Sequence, residues 1–134
     1  MLGRMNLEEM HRTLIDKLGS DADGLRTILA PDAVVEFPYA ASLGQPTRHE
    51  GPDAIARYFR EVGKLFGFSN FRFSNIRAYP CADGESAWFE MHGSADLPAG
   101  KRYEQDYVQF LRVRDGKVVL YREYWNMNAL PEVS

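Results

Sequence analysis

Little in this chain points to a disulfide scaffold, a membrane or a nucleic acid. A single cysteine, Cys81, stands among 134 residues. No internal disulfide is available, so packing alone must hold the fold, and a reducing compartment is expected. The opening Met1–Asn6 has no apolar signal core, which points to a cytoplasmic location. No apolar run approaches the ~20 residues of a membrane span. A net charge of −3 leaves no basic excess to hold phosphates, so nucleic acid is not an expected partner. No repeat, low-complexity tract or linker divides the chain. What is there is 45% hydrophobic and 13% aromatic, too apolar for disorder and long enough for a core. One domain over 1–134 is expected.

The first third reads as helices around one strand. Asn6 caps a helix, with Glu9 completing a capping-box pattern, and Leu7, Met10, Leu14, Ile15 and Leu18 form its apolar stripe up to Gly19. A short second helix is expected over roughly Asp21–Leu29, broken by Pro31. Ala33–Tyr39 reads as a strand, with Pro38 marking an edge or an end. Ala40–Glu50 reads as a polar loop that suits a lid or a dimer contact. Gly51-Pro52 opens a third helix, proline at its favoured first position, with Ile55, Tyr58, Phe59, Val62, Leu65 and Phe66 inward. His11 and His49 read as exposed.

From Asn70 the pattern is strand throughout: Phe71–Tyr79, Glu85–Asp96, and two long runs flanking Asp115-Gly116. The order implies an α+β fold, one curved and mostly antiparallel sheet wrapped on three N-terminal helices as a cone-shaped barrel. Such a cone encloses a pocket, the usual setting for a small-molecule site. Glu123 is the residue that draws attention, a carboxylate among aromatics in the last run, where ionisation is costly unless used or paired.

Register decides what Glu123 faces. A two-residue Asp115-Gly116 turn would pair Tyr107 with Tyr124 and turn Glu123 away from Tyr107's face. A three-residue Arg114–Gly116 loop would pair Val113 with Lys117 and Tyr107 with Glu123. A four-residue Leu97–Gly100 loop would pair Asp96 with Lys101, hence Glu90 with Tyr107 and His92 with Gln105. Together the last two put Glu90, Tyr107 and Glu123 in one row, His92, Gln105 and Trp125 in the next, and Trp88, Gln109 and Tyr121 in a third. Periodicity alone leaves both hairpin registers open.

Asp32–Pro38, Glu50–Phe59, Val113–Lys117 and Arg122–Asn126 resemble the SnoaL-like branch of the nuclear transport factor 2-like superfamily, over nearly the whole chain. That superfamily also holds ketosteroid isomerase and limonene-epoxide hydrolase and has a cystatin-like fold. Trp88–Gly93 and Arg122–Asn126 are similar to the phenazine-biosynthesis A/B proteins. The resemblance implies an acid/base role for Glu123 and supports the register that turns it inward. Four positions depart from relatives. Phe37 stands where ketosteroid isomerase has its aspartate base. Tyr58 stands where the phenazine proteins have a histidine. Glu90 and His92 replace the arginine and aspartate of limonene-epoxide hydrolase.

The expected function is that of a small-molecule pocket protein. The leading reading is a cofactor-independent isomerase, cyclase or dehydratase working by acid/base chemistry on an apolar or aromatic carbonyl compound. Glu123, Glu90 and His92 are the candidate catalytic residues. Tyr58, Tyr103, Tyr107, Gln105, Trp88, Trp125 and Phe37 are the candidate substrate contacts. No metal spacing is present, and no organic cofactor is implied. The competing readings are a surface-paired Glu123, a solvated Glu90/His92 face, and tyrosines that only pack the core. The alternative function is a non-catalytic ligand binder or dimeric scaffold. A homodimer is expected through the sheet's convex face, where Val108, Phe110, Val118 and Leu120 were read as outward.

Overall fold

The computed structural model describes residues 6–131; the reading of Met1–Met5 lies outside them. Helix α1 runs Leu7–Ser20, with the Asn6 side chain accepting the Glu8 N–H at 2.9 Å. Its stripe buries Met10, His11, Leu14 and Ile15. The expected second helix is a 3₁₀ segment, Asp23–Thr27. Strand β1 spans Leu29–Glu36 and stops before Phe37-Pro38, where a second 3₁₀ segment, Pro38–Leu43, begins. The expected Ala40–Glu50 loop therefore contains structure. It ends in a short strand β2, Arg48–Glu50, which takes the edge position beside β1. Helix α2, Pro52–Phe66, starts on Pro52 and ends at left-handed Gly67. Leu65, expected inward, is largely exposed.

Four long strands follow: β3 Ser69–Pro80, β4 Ser86–Asp96, β5 Arg102–Arg114 and β6 Lys117–Trp125. The sheet order is β2-β1-β6-β5-β4-β3, antiparallel except where β1 lies parallel to β6. So the fold is α+β, a curved six-stranded sheet whose inner face packs on the helices. Two buried clusters fill it, one centred on Leu14, Phe37, Phe89, Leu111 and Tyr121, the other on Ile15, Met91, Ala95, Tyr103 and Tyr107. Trp125 touches both.

Both expected registers are corrected. Asp115 and Gly116 have φ of 53° and 75°, the left-handed pair that a two-residue hairpin turn needs, and Arg114 faces Lys117. Val113 then faces Val118 while Arg112 faces Leu120, leaving Val119 as an unpaired bulge. The bulge shifts every later residue by one, so Glu123 lies opposite Gln109 and Trp125 opposite Tyr107. Without it, Arg122 and Tyr124 would occupy the inner face. The second correction is at the β4–β5 connection, where Asp96 pairs with Arg102 instead of Lys101. Met91 therefore lies opposite Tyr107, and Gly93 opposite Gln105. The inner face of β4 is Ala87, Phe89, Met91, Gly93 and Ala95, an apolar set. The opposite parity would bury Glu90 and His92, and burial of charge decides against it.

Candidate functional site

The bulge in β6 puts Glu123 inside the cone. Its carboxylate Oε1 accepts two hydrogen bonds, from the Tyr121 hydroxyl at 2.7 Å and from the Gln109 amide nitrogen at 2.9 Å. Tyr121 and Gln109 are fully buried. Burial pushes the Glu123 pKa up to about 7, against the restraining hydrogen bonds of Tyr121, Gln109 and Trp125. A carboxyl group there exists in both protonation states near neutral pH.

Glu123 borders a cavity of about 120 Å³ between the helices and the far end of the sheet. Phe59 of α2, Phe68 just after it, Phe71 and Phe73 of β3 and Tyr107 of β5 are its rings, and Glu123 is its only charged lining residue. Gly93 makes this wall possible. A Cβ there would lie 2.7 Å from Tyr107 Cε2 and 3.2 Å from Phe73, so only glycine lets the two rings meet over the strand. The Tyr107 and Tyr103 hydroxyls are 2.8 Å apart. Desolvation raises the Tyr103 pKa to about 12 and holds that of Tyr107 well above the ordinary phenol value, so both are neutral phenols.

The other expected site residues divide. Phe37 is buried, tilted against Tyr58 at 5.0 Å and stacked with Trp125 at 6.5 Å. These three form an aromatic layer beside Glu123, and burial raises the Tyr58 pKa to about 12 with the Glu123 charge adding to it. Gln105 is buried too, but both ends of its amide are spent on the Asn126 backbone, donating to its carbonyl at 3.0 Å and accepting its N–H at 2.8 Å. It fastens the chain after β6.

Glu90, His92 and Trp88 are corrections. All three lie on the outer face of β4, away from Glu123, because of the β4–β5 register. Glu90 accepts from the Tyr79 hydroxyl at 2.9 Å. His92 sits between Asp106 at 2.8 Å and Glu104 at 2.6 Å; its hydrogen bonds to these carboxylates, Asp106 first, raise its pKa. Trp88 packs on Phe110 at 4.9 Å. Val118, read as outward, is fully buried on the inner face. Among the described residues no cluster of three or more His, Cys, Asp or Glu suits a metal ion.

Three site residues escaped the sequence reading. Gln109 and Tyr121 had been placed on the inner face without a partner in Glu123. His11, read as exposed, is buried, stacked on Phe89 at 3.7 Å, with Nε2 2.7 Å from Gln109 Oε1. The signal was present: His11 falls four residues after Leu7 and four before Ile15, within the apolar stripe of α1.

Fold and site together define a helix-lined cone with a carboxylate in its apolar hollow. Residues 10–121 match the SnoaL-like domain family, and the chain belongs to it. An uncharacterized PhzA/B-like protein of Pseudomonas aeruginosa is 37% identical over 107 residues, 79% of this chain and 73% of that one. A solved Bacillus subtilis structure described as a candidate isomerase is 30% identical, with a TM-score of 0.75 over 93% of this chain and 92% of that one. A Catenulispora acidiphila protein of ketosteroid isomerase-like fold superposes with a TM-score of 0.75 over 92% and 90% of the two chains, at 13% identity, a likeness of fold alone. Epoxide hydrolase and cyclase-like enzymes share the fold at 20% identity or below. No helix among the described residues is long and apolar enough to cross a membrane.

Proposed function

We propose that the cavity is an acid/base site for a small apolar or aromatic carbonyl compound, worked without an organic cofactor as an isomerase, cyclase or dehydratase. The observation that carries this reading is Glu123, ionisable near neutral pH and set in an aromatic hollow. Such a group is available both as a base and as an acid near neutral pH, the condition that favours general acid–base catalysis. Tyr121 and Gln109 both bond Oε1, so the carboxyl group is anchored through one oxygen at the cavity wall. Tyr107 lines the same cavity and its hydroxyl is backed by Tyr103, so it suits donation to a carbonyl oxygen as charge develops there. Size narrows the substrate. At about 120 Å³ the cavity is somewhat smaller than the ~150 Å³ that takes a benzene molecule, so it favours a single small ring over a fused steroid.

The test is uptake of solvent deuterium next to the carbonyl of single-ring ketones such as cyclohexenones, followed by NMR. Glu123→Gln is expected to slow exchange about a hundred- to ten-thousand-fold while leaving ligand binding and the fold intact. Exchange at the wild-type rate in that variant refutes the reading and favours a non-catalytic binder.

A second reading concerns assembly, and β5 supports it. On the outer side of β5 come Glu104, Asp106, Val108, Phe110, Arg112 and Arg114, acidic, then apolar, then basic, with Val108 exposed but Phe110, read as outward, buried beneath Trp88 and the arginines. Two copies placed antiparallel about a two-fold axis would set acids against arginines and apolar pairs against each other. We propose a homodimer through this face.

A further inference from the structure

We infer that His11 positions the Glu123 carboxylate: as a neutral imidazole donating from Nε2, it fixes which end of the Gln109 amide meets Glu123. This rests on the reading of Glu123 as the working carboxylate. The argument begins at the acceptor. An ionised carboxylate can only accept hydrogen bonds, so Gln109 must turn its NH₂ to Glu123 Oε1, 2.9 Å away. Its carbonyl oxygen then faces His11 Nε2 at 2.7 Å, and that nitrogen must carry a hydrogen. The whole chain, His11 Nε2–H to Gln109 to Glu123, has one polarity whenever Glu123 is charged.

The surroundings suit this role. His11 lies flat on Phe89, 3° from parallel, which holds the ring plane, and with it Nε2, in line with the Gln109 oxygen. Burial drives its pKa down to about 4, opposed by the Gln109 bond and assisted by the Arg12 charge, so it is neutral over the range where Glu123 titrates. The titratable groups facing Glu123 are Tyr121, Tyr107, Tyr103 and Tyr58, all phenols raised above their ordinary value. Those beside His11 are Glu8 and Arg12. Without the histidine, the Gln109 amide would be free to reverse once Glu123 is protonated and to accept the carboxyl hydrogen. The neutral form would gain a hydrogen bond, and the preference that Gln109 now gives to the charged form would be lost.

The test uses the full chain without substrate. At pH 8, long-range ¹H–¹⁵N spectra of the wild-type protein should show His11 as the Nε2–H tautomer; the Nδ1–H tautomer would overturn the inference. The Glu123 midpoint, followed by ¹³C carboxyl NMR, should rise by about one pH unit in His11→Leu. It should stay near the wild-type value in His11→Gln, which keeps a donor. A folded His11→Leu with an unmoved midpoint, or His11→Gln displaced as far as His11→Leu, also refutes it. These readings are independent of turnover. Wild-type exchange in Glu123→Gln would end the catalytic reading and leave the tautomer result standing.

Discussion

Glu123 and His11 are two buried ionisable groups shifted in opposite directions through the same pH range. The Glu123 pKa is raised to about 7 by burial, so the unfolded chain ionises first and stability falls as pH climbs from about 4.5 to about 7. The His11 pKa is lowered to about 4 by burial, so the unfolded chain takes up a proton first and stability is lost as pH drops from about 6.5 to about 4. Between pH 5 and 6.5 the two slopes oppose and nearly cancel. Glu123→Gln removes one of them. Relative to the wild-type profile it should gain about 2 kcal/mol from pH 5 to pH 7, the Glu123 slope that the substitution removes, at ~1.36 kcal/mol per pH unit. Urea unfolding at the two pH values measures this, and profiles that run parallel would mean that Glu123 is not buried as described.

At the scale of elements, two strand irregularities place the site. The Val119 bulge turns Tyr121 and Glu123 inward, and Gly93 lets Tyr107 and Phe73 close over β4. Gly93→Ala puts a methyl 2.7 Å from the Tyr107 ring, an overpacking expected to cost about 1–3 kcal/mol and to push Tyr107 into the cavity. Chemical denaturation gives the first effect. Loss of affinity for a single-ring ligand gives the second, and an unperturbed variant would show that the wall yields freely. The bulge itself was legible in hindsight. Val118 and Tyr121 are both fully buried yet three residues apart, which a regular strand, alternating every residue, cannot arrange.

For the whole molecule the open question is what covers the outer face of the sheet. Val108 is 37% exposed there, flanked by the half-buried Trp88 and Tyr124. Val108→Glu at the centre of the β5 stripe should turn a dimer into a monomer without changing the circular dichroism spectrum. Sedimentation equilibrium decides it, and a wild-type chain that is monomeric at high concentration removes the dimer. At the arginine end Arg114 is already paired with Glu85 at 3.3 Å and Arg112 lies 4.0 Å from Asp83, so a partner's acids would have to share these cations.

Patterning along the chain was enough for the class of fold. Periodicity located both α-helices and the strands from β3 to β6, since the 3.6-residue and two-residue patterns are local properties. It also singled out Glu123, because a carboxylate among aromatic neighbours is conspicuous in one dimension. Only the tertiary structure decided which residues share its face. Registers hinge on single residues, a bulge at Val119 and one more residue in the β4–β5 connection, and each slip exchanges inside for outside. That is why Glu90 and His92 went to the surface, while His11, 98 positions from Gln109, came to meet it.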